Sequence, residues 1–125
     1  MDTGTMNKTI NQELAELYFR FKLLVSSVKG LSIAQGLIPE TEGLLDQIGR
    51  AYQQGETVTV LKLCNMTELG APATVHKRLQ LLKQTGFIDV TVSDSDARIK
   101  YVTPTARACD YFAAGGQAVQ EFRTR

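Results

Sequence analysis

The N-terminal region carries apolar side chains at steps of three and four residues. The positions are Ile10, Leu14, Leu17, Tyr18, Phe21, Leu24, Val25 and Val28. This spacing places them in one stripe on a helix of about five turns. Thr9 and Gln12 predict a capping box at its start, and Gly30, Gly36 and Pro39 predict a loop after it. A helix this long at the end of a small domain has more apolar surface than its own core covers. The stripe therefore predicts a dimer interface, with packing inside the chain as the alternative.

The middle of the chain predicts two further helices and a tight turn. The apolar positions of the first are Leu44, Leu45, Ile48, Ala51 and Tyr52, and those of the second are Val60, Leu63 and Cys64. Gly55 predicts the end of the first helix, and Thr59 predicts the N-cap of the second. The second helix is expected to end near Asn65 or Met66. Residues 67–71, with a glycine among them, predict a tight connection to the next element.

A fourth helix is predicted to begin at Pro72, because proline is tolerated at the first helical position. Val75, Leu79 and Leu82 form its buried row, and Gly86 ends it. The opposite face is polar and cationic, and it carries Ala73, Thr74, His76, Lys77 and Gln80.

A hairpin and a last helix complete the pattern. The first strand is predicted from Phe87, Ile88, Val90 and Val92, and the second from Ile99, Tyr101 and Val102. The intervening "SDSDA" at 93–97 is typical of a turn. Pro104 predicts the start of the final helix. That helix places Ala108, Tyr111, Phe112 and Val119 on one side.

The order of these elements predicts a mostly α fold with a small β-hairpin. Two helices joined by a short glycine-containing turn and followed by a hairpin form a winged helix-turn-helix. We expect an N-terminal dimerisation helix and loop in 1–38, the winged helix-turn-helix in 39–103, and a C-terminal helix, also dimerising, in 104–125. The second helix of such a unit, here about 72–85, enters the DNA major groove, and the hairpin at 87–103 is the wing.

The distribution of charge agrees with a DNA-binding surface. The whole chain has a net charge of only +1. Residues 71–107 hold six Lys/Arg against three Asp/Glu, a net +3, whereas residues 1–56 hold five against seven, a net −2. Positive charge is therefore concentrated in the region of the fourth helix and the hairpin, as a nucleic-acid footprint requires.

Residues 44–107 resemble the winged-helix core of the MarR-type (multiple antibiotic resistance regulator) transcription factors. The matching stretches are "TVLKL" at 59–63, "ATVHKRLQLLKQTGFI" at 73–88 and "SDSDARIKYVTPTAR" at 93–107. The wing of that family has Asp residues, then an Arg, and then a Leu-Thr pair that opens the next helix. Those places are taken here by Asp94, Asp96, Arg98, Val102 and Thr103. Leu81 stands where many members carry an Arg.

The resemblance implies a set of site residues. The family's groove-facing residues fall on Thr74, His76 and Lys77, and its minor-groove wing arginine falls on Arg98, oriented by an aspartate such as Asp96. The expected DNA-binding residues are Ala73, Thr74, His76, Lys77, Arg78, Arg98 and Lys100. The expected dimerisation residues are Leu14, Leu17, Tyr18, Phe21, Tyr111 and Phe112.

Other classes of function find little support in the sequence. There is no nucleophile elbow and no phosphate-binding glycine loop, and His76 is the only histidine, so we expect no enzyme, no metal and no cofactor. Cys64 and Cys109 form no CxxC pair and are interpreted as small buried residues, with a redox switch as the alternative. Without an apolar signal segment or a spanning helix, the chain is expected in the cytoplasm and away from membranes.

These observations predict a sequence-specific transcriptional regulator that binds double-stranded DNA as a homodimer. The alternative is a winged-helix module that binds protein and not DNA, which the low net charge and the acidic wing keep open. The presence of a small-molecule effector stays open as well.

Overall fold

The computed structural model describes the backbone of residues 3–124 and the side chains of residues 9–123. Within this part of the chain, helices and a two-stranded antiparallel sheet follow one another in the predicted order. They are α1 (Thr3–Ala34), α2 (Glu42–Gln53), α3 (Val60–Cys64), α4 (Pro72–Gln84), β1 (Ile88–Val92), β2 (Lys100–Pro104) and α5 (Ala106–Thr124). The mostly α fold with a small hairpin is therefore confirmed.

The core lies where α2, α4, the hairpin and the start of α5 meet. The predicted inward positions of α2 and α4 are buried, with the exception of Tyr52, which is half exposed. The largest fully buried side chains are Phe87, Leu45, Ile48, Leu63, Leu82, Ile88 and Val75. Burial of these apolar groups supplies the main driving force for the fold. The helical periodicity thus gave the correct core face of α2 and α4, whereas Val92 of β1 and Val119 of α5, which were also expected to face inward, are about half exposed.

The hairpin is connected to α3 by backbone hydrogen bonds. The strands pair in a register that sets Val90 opposite Val102. The Val102 amide donates to the Val58 carbonyl at 2.9 Å, and Thr59 forms a bridge with Tyr101. Thr59 is also the predicted N-cap, since its Oγ1 accepts from the backbone N–H of Lys62 at 3.1 Å. One residue therefore starts α3 and attaches it to the hairpin.

The end of α4 shows why a glycine is needed there. Gly86 has φ +81°, a conformation that costs little only for glycine. The Gly86 amide donates to Lys83, and the Phe87 amide donates to Leu82. These bonds satisfy the last carbonyls of the helix and turn the chain into β1.

Three predictions about element ends are wrong. The helix α1 begins at Thr3 and runs through Gly30, so Thr9 lies within it and not at a capping box, and Gly30 is not in a loop. A glycine inside a helix costs about 1 kcal/mol, which the packing of its neighbours offsets. Pro104 ends β2, and α5 begins after Thr105, whose Oγ1 accepts from the Ala108 N–H at 3.3 Å.

Because α5 begins at Ala106, a different threonine opens the last helix from the one expected. Thr103, the place expected from the resemblance, pairs with Asp89 inside the hairpin. The helix-opening threonine is Thr105, and its hydroxyl also donates to the Gly86 carbonyl at 2.6 Å. The strand β2 consequently ends one residue after the predicted end of the wing at 103, and α5 begins two residues after the predicted start at 104.

Among the described residues, no single helix is both long and apolar enough to cross a membrane. The helical segments 9–34 and 39–53 have the length and apolar composition of a membrane span only as a pair. The chain bends by 113° between the two segments.

Candidate DNA-binding surface

A concave groove lies between α3, the start of α4 and the hairpin. Its volume is about 710 Å³, and it is lined by Val60, Leu61, Cys64, Pro72, Ala73, His76, Lys77, Gln80, Arg98 and Lys100. A smaller cavity of about 130 Å³ shares four of these residues and reaches Lys83 and Val90. Among the described residues, those that line the larger groove include three cations and no carboxylate. Five of the seven expected DNA-binding residues therefore meet on one surface.

The start of α4 is open to solvent. Ala73, Thr74, His76 and Lys77 are all exposed, while Val75 between them is buried. In an α-helix the first N–H groups have no partner inside the helix, and the aligned peptide dipoles make this end positive. Small residues at the same end allow the backbone to approach a ligand. The exposed start of α4 can therefore bind an anion such as a phosphate.

The wing arginine is held by the aspartate two residues before it. Arg98 Nε donates to Asp96 Oδ1 at 3.2 Å, and Arg98 Nη2 donates to Asp96 Oδ2 at 3.2 Å. The Arg98 backbone N–H also donates to Oδ1 at 3.0 Å. The side-chain bond first, and then the backbone bond, lower the pKa of Asp96 below its ordinary value of 3.8. The expected Asp96–Arg98 contact is present, and the guanidinium still projects into solvent.

The remaining two expected residues lie outside the groove. Arg78 is half buried, and its Nη1 makes a long contact of 3.5 Å with the Leu69 carbonyl in the turn before α4. Part of its guanidinium therefore supports the helix-turn-helix turn. Thr74 is exposed and lies close to Gly70.

Five of the ten residues that line the groove were absent from the sequence-based site: Val60, Leu61, Cys64, Pro72 and Gln80. Gln80 lies one helical turn after His76, so its place on the polar face of α4 was the available signal. Leu61 is 70% exposed on α3, although it is a large apolar residue. The predicted inward row of Val60, Leu63 and Cys64 leaves Leu61 on the outward side of α3. That this side faces the groove depends on the orientation of α3, which its bridge to the hairpin sets.

The apolar stripe of α1 divides into a packed part and an exposed part. Leu24, Val25 and Val28 are half buried against the rest of the chain. From residue 9 to residue 23 every side chain of α1 is exposed, and the exposed members of the stripe are Ile10, Leu14, Leu17, Tyr18 and Phe21. Phe19 and Leu23 are also exposed, but they lie on the other side of the helix. Exposed apolar surface on this scale is typical of interaction sites in folded proteins.

Of the two α5 residues expected at a dimer interface, Tyr111 is buried in the core of this chain and Phe112 is half buried against that core. Tyr111 is 5% exposed, and its hydroxyl shares a hydrogen bond of 2.8 Å with Ser32 Oγ. Burial raises the pKa of this phenol, although the bond to Ser32 opposes the shift. The Phe112 ring packs over Gly49, where any Cβ would collide with it. These residues attach α5 to α1 and α2, because the apolar side of α5 faces its own chain.

A second cleft, of about 630 Å³, opens on the surface where α2 and α5 pack together. Its lining includes Asp46, Arg50, Cys109 and Phe112. Burial first, and the charge of Glu42 second, raise the pKa of Asp46. Cys109 is exposed here, so the prediction that both cysteines are buried is wrong for this one, and neither described cysteine is in a disulfide. Cys109 follows the buried Ala108 on α5, so it lies about 100° around the helix from that inward position.

Comparison with known proteins starts from the sequence. No family model matches the chain. It is similar to a curated phosphopantetheine adenylyltransferase of Corynebacterium diphtheriae, with 39% identity over 79 residues, which are 62% of this chain and 49% of that protein. The chain thus spans about half the length of this relative, and a similarity of that extent carries no activity across.

Solved structures match nearly the whole chain. A mutant of S. aureus MepR bound to an oligodeoxyribonucleotide superposes with a TM-score of 0.67 at 15% identity, over 99% of this chain and 80% of that one. The transcriptional regulator Tm0710 from Thermotoga maritima gives a TM-score of 0.66 at 16% identity, over 94% and 77%. This chain has the fold of the MarR-type regulators. The MarR-type fold therefore extends beyond residues 44–107, where the sequence resemblance lay, to α1 and α5. These structural neighbours are regulators and not enzymes.

Proposed function

We propose that this protein is a sequence-specific, DNA-binding transcriptional regulator that acts as a homodimer in the cytoplasm and has no catalytic activity. The observation that carries the proposal is the groove in which the exposed start of α4 lies beside Arg98 and Lys100 of the hairpin. A helix start, two wing cations and a solvent-exposed surface are the parts that a winged helix-turn-helix uses to hold a duplex.

In this proposal α4 enters the major groove. Ala73 and Thr74 are short, so the helix backbone approaches the base edges, and Thr74 contacts a base or a thymine methyl group. His76 and Lys77 lie on the same exposed face and reach guanine acceptors or phosphates. The free N–H groups of the first turn bind a backbone phosphate.

The hairpin acts as the wing. Arg98 enters the adjacent minor groove, where the negative potential favours a guanidinium. Its fork-like contact with Asp96 restricts the side chain before DNA arrives, which lowers the entropy cost of binding. Lys100 adds a phosphate contact from the same strand.

The exposed stripe of α1 forms the dimer interface. Leu14, Leu17, Tyr18 and Phe21 are each more than half exposed, and a second copy of α1 would remove this apolar surface from water. A two-fold axis through this helix would present two α4 helices to one face of DNA. Half-sites about 34 Å apart, one turn of the duplex, would then be read together.

The test is selection of bound duplexes from a random pool, followed by binding measurements at several salt concentrations. We expect a symmetric enriched site and an affinity that falls with salt, with a log–log slope of about −0.9 per neutralised phosphate. No enriched sequence, together with no salt-dependent binding, would reject the proposal and favour the protein-binding alternative.

A further inference from the structure

Arg107 contacts the C-terminal ends of two other helices. Its Nη1 donates a hydrogen bond to the Thr85 carbonyl at 2.5 Å, and its Nη2 donates one to the Gln35 carbonyl at 2.7 Å. Thr85 directly follows α4, and Gln35 directly follows α1. The guanidinium also lies over the Phe87 ring, 4.5 Å from its centroid. One side chain near the start of α5 therefore joins the end of the proposed recognition helix to the end of the proposed dimerisation helix.

The chemistry of both contacts favours arginine. The last carbonyls of a helix lack partners inside the helix, and they lie at the negative end of its dipole. A guanidinium offers several N–H groups in one rigid plane, so it can donate in two directions while its face stacks on an aromatic ring. A lysine ammonium is a single point of charge on a flexible stem and cannot reproduce this arrangement.

The surrounding backbone leaves room for the arginine. Gly36 has φ +80°, and a Cβ at this position would lie 2.9 Å from Arg107 Nη2. A side chain there would displace the guanidinium from the Gln35 carbonyl. The helix-ending glycine of α1 thus serves both the turn and the approach of Arg107.

The packing of the helices makes this connection important. The helix α1 packs chiefly against α5, whereas α4 packs against α2, α3, β1 and the short 3-10 turn at Pro39–Thr41 that follows α1. The orientation of α4 relative to α1 is therefore transmitted mainly through intermediate elements. Arg107 is the point at which one side chain holds the ends of both helices.

We propose that Arg107 is a positioning residue that fixes the orientation of α4 relative to α1 and so sets the distance between the two recognition helices of the dimer. The inference rests on the proposed function, because it requires dimerisation through α1 and DNA binding through α4. Arg107 itself is not among the residues that line the groove.

The experiment compares Arg107→Gln and Arg107→Lys with wild type on two kinds of duplex. One carries a single selected half-site, and the other carries two half-sites whose separation varies in steps of one base pair. Arg123→Gln is the matched control, since Arg123 is exposed on the same helix about 24 Å further along. Thermal unfolding and the dimer dissociation constant are measured for each variant.

We expect Arg107→Gln to bind the single half-site within about twofold of wild type and to lose about tenfold on the best-spaced double site, a coupling of ordinary size. Its preference among spacings should become flatter. Arg107→Lys should show a smaller loss of affinity on the double site and a smaller change in spacing preference. If the glutamine variant does not fold, the lysine variant provides the test. The control should keep the wild-type ratio of double-site to half-site affinity.

Two results would overturn the inference while the proposed function stands. One is a lowered melting temperature with an unchanged affinity ratio and spacing preference, which means that Arg107 only stabilises the fold. The other is an equal loss on single and double sites, which means that it acts on α4 alone. A wild-type protein that binds neither duplex would instead reject the proposed function, and the inference with it.

Discussion

Replacing Leu17 with alanine is expected to weaken the dimer about a hundredfold. Leu17 is 56% exposed in the stripe of α1, so a partner can cover only about that fraction of it. The substitution removes three carbons at about 0.8 kcal/mol each, which gives about 1.3 kcal/mol per copy after scaling by the exposed fraction. A two-fold interface contains the residue twice. The total of about 2.7 kcal/mol corresponds to about a hundredfold in the dissociation constant.

Sedimentation of serially diluted protein measures this effect directly. Ile33→Ala is the matched control, because Ile33 is 71% exposed on the same helix and lies about 160° around it from Leu17. The control should leave the dissociation constant unchanged, and both variants should keep their helical content. An unchanged dimer in Leu17→Ala, or an equal loss in Ile33→Ala, would show that the stripe is not the interface.

Three other predictions test the groove, the core and the wing. Lys77→Ala and Arg98→Ala should each weaken DNA binding in an anisotropy titration with little change in melting temperature, since both side chains are exposed; a variant that unfolds would remove its residue from the DNA surface. Leu79→Ala should lower the free energy of unfolding by about 2 to 5 kcal/mol in a urea titration, because a buried side chain leaves a cavity; equal stability would contradict the assigned helix face. The bonds from Arg98 lower the pKa of Asp96 below its ordinary value of 3.8. The Asp96–Arg98 pair should therefore be intact above pH 3.8 and should be lost as the pH falls through the lowered pKa of the folded state. Carboxyl NMR shifts of Asp96 that titrate above pH 3.8 would contradict the contact.

Local patterns predicted the helix-turn-helix and most of its core. The row of Val75, Leu79 and Leu82 is buried as its spacing indicated, and Gly86 ends α4. These features depend on the helical repeat and on backbone sterics, which act between residues close in sequence. The exposed face of α4 follows from the same repeat, so most of the candidate site could be predicted without coordinates.

The ends of α1 were beyond the reach of such patterns. Gly30 is a frequent end signal, yet here the helix continues to Ala34. The hydrogen bond between Ser32 and Tyr111 and the packing around it favour the helical conformation. A local preference of about 1 kcal/mol is easily outweighed by contacts with a distant segment.

The sequence by itself determined the order of the elements, their inward faces and the cationic start of α4. Only the tertiary structure decided that Tyr111 belongs to the core, that Leu61 faces the groove and that Arg107 meets both Gln35 and Thr85. The physical reason is the range of the interactions. Periodicity and capping act over a few residues, whereas the partners of Arg107 lie 72 and 22 positions away and become neighbours only when the helices pack.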